Sequence, residues 1–240
     1  MQDTAQEKWF LWRDEARPAA LNMAIDEVLL AEISSINTPI LRLYSWDTPS
    51  VSIGYVQDFA AAPQEGYKIV RRPTGGGVVF HVADLTYTVV LPPRHRICSF
   101  ERVESYRVFH RIVLKALEAF GVQGSLAPDG LPGADRATMR CFNTPTRYDV
   151  LDGSRKLAGA AQRRTRNGLL HQGSIMLDAA AGDGNMLSSQ LLYAWKEILG
   201  AEFSDFTPNE EFFSRAKELA GEKYANDAWN KDRIWDERRH

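Results

Sequence analysis

The sequence predicts an α+β fold of mixed, largely antiparallel sheets with packed helices, in a single domain over residues 1–240. Three observations predict it. β-Type runs stand on both sides of a triple-glycine loop in RRPTGGGVVFH, Arg71 to His81. Two long stretches carry apolar residues at three- and four-residue spacing, the pattern of amphipathic helices. Asp152-Gly153 and Asn167-Gly168 each fall between β-type segments, which marks two hairpins.

Lys8 to Arg13 is aromatic-rich and reads as a strand. After Pro18 the spacing predicts a helix from Leu21 to Ile33, with Leu21, Ala24, Ile25, Val28 and Leu29 on the core face and Asp26 and Glu27 off it. Short strands at Ile40 to Tyr44 and Val51 to Tyr55 flank the turn-rich WDTPS segment. Tyr67 to Arg71 and Val78 to Phe80 are strands around the glycines, and Leu85 to Leu91 is a strand stopped by Pro92-Pro93. Ser99 caps a helix that runs to Phe120, with Gly121 as its stop.

From Gly124 to Thr146, proline and glycine without periodicity predict a long loop, and loops of that length are usually functional or mobile. Strands at Tyr148 to Leu151, Arg155 to Leu157, Ala160 to Arg164 and Leu169 to Leu177 form a meander near the glycine-loop sheet. A helix from Met186 to Leu199 ends at Gly200. Thr207-Pro208-Asn209-Glu210 reads as a capping box with proline at the first helical position, opening a helix to Leu219 and Gly221. Glu222 to Ile234 reads as a polar terminal helix.

A net charge of -2 gives no electrostatic reason for bulk nucleic-acid or membrane binding. No apolar run reaches the roughly 18 residues of a membrane span, and no export signal is visible at the N-terminus. Two cysteines, Cys98 and Cys141, make no disulfide framework, so a cytoplasmic, reducing location is the default. No CxxC or HxxxH spacing occurs, and no metal site is expected.

Four features are left for chemistry. The glycine loop lacks the GxGxxG or GxxxxGK spacing, and the following helix, of a phosphate loop. It is either a ligand cradle on a sheet or a tight turn, which one or two glycines would already serve. Lys156 precedes the small residues Ala158, Gly159, Ala160 and Ala161, which leave room beside an ammonium that holds an anionic or carbonyl oxygen; the alternative is a surface lysine at a hairpin end. Cys141 has Arg136, Arg140 and Arg147 near it in sequence, and cationic neighbours favour a nucleophilic thiolate, whereas a lone cysteine also serves as a small buried hydrophobe. His171 in LLHQGS is a structural histidine or a site residue. No serine stands in a nucleophile-elbow context. Arg163, Arg164 and Arg166 are a solvated basic face or a meeting point for an acidic partner.

Taken together, ALNMAIDEVLL, SWDTPSVSIGYVQD, RRPTGGGVVFH with LTYTVV, and KLAGAAQRR with LLHQGS resemble the lipoate-protein ligase and octanoyltransferase family, related in fold to biotin protein ligases. The resemblance implies an acyl site of Arg72, Thr74, Gly75, Gly76, Gly77, His81, Gly159, Ala161, His171 and Gly173, with Cys141 and Lys156 as catalytic residues. CFNTP, Cys141 to Pro145, is similar to the loop of cysteine-dependent octanoyltransferases, which need no cofactor. Gly77 is similar instead to the ATP-dependent ligases, which imply ATP and Mg at Asp149 and Lys156; those ligases typically have an Asn-Asp pair where this chain has Tyr148-Asp149. The implied donor is octanoyl-acyl carrier protein or lipoate, and the implied acceptor is a lipoyl domain or a glycine cleavage H-type protein. A non-catalytic acyl-binding module is the third reading.

Overall fold

The β-type segments assemble into two sheets in a computed structural model that describes residues 6–128 and 146–236. The elements are β1 (Glu7–Arg17), α1 (Ala19–Ile36), β2 (Ile40–Trp46), β3 (Ser50–Ile53), β4 (Lys68–Arg71), β5 (Val79–His81), β6 (Asp84–Leu91), α2 (Arg102–Glu118), β7 (Ser125–Leu126), β8 (Val150–Asp152), β9 (Arg155–Thr165), β10 (Gly168–Met176), α3 (Gly184–Leu199), β11 (Ala201–Asp205), α4 (Glu210–Leu219) and α5 (Asp227–Asn230). Among the described residues the large sheet has the order β11-β1-β2-β6-β10-β9-β8-β7, and the small one β4-β3-β5. Parallel pairing joins β1 to β2 and β11, and β3 to β4. The remaining pairs are antiparallel, β8–β9 and β9–β10 being the two hairpins that Asp152-Gly153 and Asn167-Gly168 predicted.

Helices cover both faces of the large sheet, which is why β6 and β10 carry so few exposed positions. On one face Phe109, Ile112, Leu191 and Trp195 from α2 and α3 pack on Trp9, Tyr87 and Ile175. On the other, Ile25 and Leu29 of α1 and Phe212 of α4 pack on Val90 and Leu170. Val51, Ile53, Ala62 and Val78 form a separate core for the small sheet.

Several local expectations are corrected. Asp26 is fully buried rather than off the core face. Its partner is Arg42 on β2, also fully buried, which bonds Asp26 and Asp14 at 2.7 Å each and Asn22 at 2.6 Å. A charge can stay buried when it is paired and hydrogen-bonded this completely. Ser99 does not cap α2; its hydroxyl donates to Arg96 O within a short 3₁₀ turn, and Glu101 is the N-cap. Helix α4 starts later than the capping-box reading: the Asn209 side chain accepts from Phe212 N–H at 2.8 Å, leaving Thr207 and Pro208 outside the helix.

The expected terminal helix from Glu222 to Ile234 is instead a π turn, Ala220–Tyr224, followed by the short α5. Its polar pattern is misleading because its polar groups have internal partners. Buried Lys223 bonds both Glu27 oxygens, at 2.7 and 2.8 Å, and lies 4.2 Å from the Trp229 ring. The expected loop from Gly124 to Thr146 contributes β7, paired with β8. Residues 129–145, Cys141 among them, lie outside the described residues.

Candidate active site

The glycine loop joins β4 and β5, which flank β3 on opposite sides. Two arginines at its entrance hold it in different ways. Arg72 is buried and fans over the loop, donating to Gly75 O at 2.6 Å, Gly77 O at 2.7 Å and Ser52 O at 3.0 Å. In a trans peptide unit the N–H opposes the carbonyl, so the Gly76 and Val78 N–H groups turn away from Arg72. Gly76 has φ of 85°, a backbone state that glycine adopts without steric cost. Gly54 leaves room for the Gly76 carbonyl, which a Cβ there would strike. Gly75 has neither reason: a Cβ there would meet nothing within 4 Å. A glycine without a packing requirement at an open position favours the cradle over the simple turn.

Arg71 faces the opposite way and is fully buried. It donates to Gly54, Tyr55 and Gln57 carbonyls on one side and to Trp229, Asn230 and Lys231 carbonyls on the other. Burial pulls its guanidinium down to about 10, with repulsion from Arg233 adding to the effect. Asn230 Oδ1 also accepts from Arg71 N–H at 2.7 Å, and Trp229 Nε1 donates to Arg71 O at 2.8 Å. The C-terminal segment is thereby a brace for the loop.

Lys156 lies near the start of β9 in the large sheet and is not among the residues lining the cavity between the sheets. In regular β alternation it would point away from Gly159, but a bulge opposite Val150 and Leu151 inserts one residue and re-aims it. Lys156 is buried and paired with Asp149 at 2.7 Å. A Cβ on Gly159 would lie 2.5 Å from Lys156 Cε and 3.0 Å from Asp149 Oδ1, so glycine is what admits the pair. Asp149 Oδ2 also accepts from Thr146 N–H at 2.6 Å and from its hydroxyl at 2.9 Å. Thr146 is five residues on from Cys141. Helix α2 steadies the turn: His110 Nδ1 donates to Tyr148 O at 2.6 Å, and Tyr148 OH donates to Glu104 at 2.9 Å. Burial holds the His110 imidazole below its ordinary value against the raising effect of Asp149.

Between the two sheets lies a small, partly open cavity lined by residues of both. Met23, Tyr44, Trp46 and Val79 give it an apolar wall. Arg72, His81, Gly159, Ala161 and Gly173, all expected at the site, line it too. Thr74 reaches it indirectly, donating at 2.7 Å to the lining residue Gln172, which in turn donates to Asp26 at 2.7 Å. His171 does not line it: that ring is fully buried on the α2 side, 4.5 Å from Phe109 by ring centroids and bonded to Tyr87 and Gln162. Burial, with His110 adding, holds it well below the ordinary histidine value, as suits a neutral core residue.

Sequence reasoning missed Ser52, Trp46 and Asp84, which surround His81. Its Nδ1 is 2.8 Å from Asp84 Oδ2, its Nε2 is 2.9 Å from Ser52 Oγ, and its ring stacks on Trp46 at 3.9 Å. The three-residue step from His81 to Asp84 across a tight turn was the available signal; the partner serine on β3 gave none. Cys98, the other cysteine, is free, and burial raises its thiol despite nearby Arg164, which fits a packing role. Among the described residues no group of three or more His, Cys, Asp or Glu side chains could hold a metal, and no helix is long and apolar enough to cross a membrane.

The chain is 39% identical over 181 residues to octanoyltransferase LipM of Kyrpidia tusciae, an overlap of 71% of this chain and 66% of that protein. It is 39% identical over 186 residues to octanoyltransferase LipM of Symbiobacterium thermophilum, covering 71% and 65% respectively. It therefore spans about two thirds of the length of these relatives. Among solved structures, protein Ta0514 of T. acidophilum superposes with a TM-score of 0.79 at 23% identity, covering 94% of this chain and 99% of that one. Lipoate-protein ligase A bound with ATP superposes at 0.75 and 22%, covering 95% and 100%. At these identities the structures show the shared fold. The pattern described as the lipoyl protein ligase A/B catalytic domain matches residues 18–198, and this chain belongs to that family.

Proposed function

We propose that the protein is an acyltransferase of protein lipoylation that moves an octanoyl group through a Cys141 thioester to a lysine of a carrier domain. The observation that carries this reading is the buried Lys156–Asp149 pair packed on Gly159, a residue of the cavity lining that Arg72 and His81, from either end of the glycine-loop segment, share. The apolar lining suits an acyl chain once the two sheets part to admit it, and a fixed ammonium beside Gly159 suits its carbonyl. The relatives named octanoyltransferase LipM support the octanoyl group, and the cysteine route rests on the resemblance of CFNTP to the loop of cysteine-dependent octanoyltransferases.

In the first step Cys141 sulfur attacks the donor thioester and the carrier thiol leaves with the proton. In the second, the acceptor lysine's amine attacks the acyl-enzyme and the Cys141 thiol is released. Lys156 and the outward N–H groups of the glycine loop stabilise each oxyanion, an effect worth about 3 to 4 kcal/mol per well-placed donor. Burying roughly seven tail carbons at about 0.8 kcal/mol each contributes roughly 5 to 6 kcal/mol before binding costs. The donor is octanoyl-acyl carrier protein, and the acceptor a lipoyl domain or a glycine cleavage H-type protein. In an ATP-dependent ligase Asp149 would serve the nucleotide and its Mg; here it is committed to Lys156 and Thr146.

The test is intact mass after mixing the protein with octanoyl-acyl carrier protein and then with lipoyl domain. A covalent octanoyl adduct that is passed on, and is absent in Cys141→Ser, is the expected result. Modification of the lipoyl domain only with free acid, ATP and Mg, undiminished in Cys141→Ser, would establish the ligase instead. Octanoate binding without transfer under either condition would leave an acyl-binding module.

A further inference from the structure

One part of the cavity wall has more machinery than an apolar tail requires. Asp84 is buried, and its Oδ2 accepts from three donors: His81 Nδ1 at 2.8 Å, Ser174 Oγ at 2.6 Å and Thr86 Oγ1 at 3.0 Å. Burial pushes the Asp84 carboxyl up, but His81 and these hydroxyls outweigh it and leave it below the ordinary range, hence ionised. In the neutral imidazole an ionised carboxylate takes the protonated ring nitrogen, which would place the His81 proton on Nδ1 and turn the Nε2 lone pair to Ser52 O–H, 2.9 Å away. Trp46 clamps the ring by stacking, and is itself fixed through Nε1 to Thr86 Oγ1 at 2.9 Å. Arg72 Nη1 lies 3.0 Å from Ser52 Oγ, which places a cation beside that oxygen. A serine, an oriented histidine and a buried carboxylate in this relation are recognised by geometry and role, independent of chain order.

We infer that Ser52, His81 and Asp84 form a nucleophile relay inside the cavity, giving the protein an acyl-thioester hydrolase activity that does not use Cys141. The inference rests on the reading that the cavity takes an acyl chain. Ser52 Oγ adds to the thioester carbonyl carbon while its proton passes to His81 Nε2; the C–S bond breaks and the thiol departs with that proton. Water then adds to the acyl-serine with His81 as base, the C–O bond to Ser52 breaks, the serine hydroxyl is restored, and a carboxylic acid is released. The sum is thioester plus water giving acid plus thiol. Arg72, whose N–H groups already serve Gly75, Gly77 and Ser52, contributes its positive charge beside the oxyanion of both additions. Such a step would clear acyl groups that find no acceptor lysine.

The experiment uses the Cys141→Ala protein and an octyl fluorophosphonate, with peptide mapping of the adduct and a parallel assay of octanoate binding. One phosphonyl group on Ser52 is expected, absent in Ser52→Ala and formed at least about tenfold more slowly in Asp84→Asn, where the tautomer is no longer fixed. Hydrolysis of an octanoyl thioester by Cys141→Ala, lost in the added Ser52→Ala, is the second expected readout. A folded Cys141→Ala protein that binds octanoate and leaves Ser52 unlabelled overturns the inference. Because the labelled site is mapped in the Cys141→Ala protein itself, misfolding of further variants does not hide the answer. Ser52 labelling together with failed transfer by the unmodified protein would sink the transferase reading alone; transfer without labelling would sink the relay alone; neither labelling nor octanoate binding would sink both.

Discussion

The two walls of the cavity are held by opposite means. On the large-sheet wall, Lys156 and Arg42 are buried cations neutralised by buried carboxylates, Asp149 for one and Asp14 with Asp26 for the other. On the small-sheet wall, Arg71 is surrounded by six backbone carbonyls drawn from two segments far apart in sequence. Carboxylate pairing fixes a charge at one point. Carbonyl ligation fixes pieces of chain to one another, and the more distant Asp58 and Asp232 offset the cost of burial only in part, so that Arg71 is lowered to about 10. The charges on the large sheet hold side chains at points, and the charge of Arg71 ties chain segments together.

The largest effect expected from breaking this contrast is at Arg71. Arg71→Met strands six carbonyls and releases the C-terminal brace, and should lower stability by about 3 to 5 kcal/mol, as loss of one partner in a buried charged network does. Urea unfolding measures this, and amide exchange should show lost protection at both Gly54–Gln57 and Trp229–Lys231. A loss confined to one of the two segments would break the idea of a shared brace. Lys156→Gln should do the reverse: it keeps a hydrogen bond to Asp149 and the fold, but lowers octanoyl transfer about 10²- to 10³-fold. Equal losses of stability in the two variants would erase the distinction between the walls.

Gly159→Ala reaches the same lysine through sterics. The new Cβ falls 2.5 Å from Lys156 Cε, and the lysine must swing from a position held by Asp149. Transfer should fall by about tenfold, with a stability cost of about 1 to 3 kcal/mol, typical of overpacking. Unchanged transfer in this variant would mean that the lysine acts from another position than the one described.

The same contrast explains which parts of the molecule were legible in the sequence. Hairpins at Gly153 and Asn167-Gly168, the stops at Pro92 and Gly200, and the main helices follow from local rules, and all are present. The KLAGAAQRR wall was readable because small residues beside a lysine are close in sequence and mean room. Asp26 and Lys223 were read as surface charges because their partners, Arg42 and Glu27, are remote in sequence. The Arg71–Asn230 clasp spans 159 residues and no local pattern encodes it. His171 reads from its own neighbours as a core histidine and from the family resemblance as a ligand, and Tyr87, Phe109 and Gln162 around it decide for the core.

Acid should separate the walls further. Asp84 sits below the ordinary carboxylate range in the folded protein, so its network contributes stability above the unfolded value, near about 4, and that stability is lost as pH falls through the depressed folded value. The stability advantage of the unmodified protein over Asp84→Asn should therefore be full near neutrality and shrink on acidification. A gap independent of pH would mean that the depressed value does not reflect the folded network.

The smallest effect concerns Tyr148, the residue next to Asp149. Its φ of 70° lies in the left-handed region, which costs a non-glycine residue about 1 to 2 kcal/mol but suits asparagine or glycine better. Asparagine, which the resemblance to ATP-dependent ligases implies at this position, would suit this backbone conformation better. Here tyrosine bears the strain and gains bonds to Glu104 and Arg147 at a partly exposed position, worth about 0.5 to 1 kcal/mol together. Tyr148→Asn should therefore change stability by less than about 1 kcal/mol, while Tyr148→Ala, which keeps the strain and loses the bonds, should be the less stable of the two. Thermal unfolding of both variants checks the order. With transfer from octanoyl carrier unchanged in Tyr148→Asn, the turn would be set by α2 through His110, independent of the side chain at 148. A gain of ATP-dependent ligation in the same variant would instead show that this one side chain separates the two chemistries on a common wall.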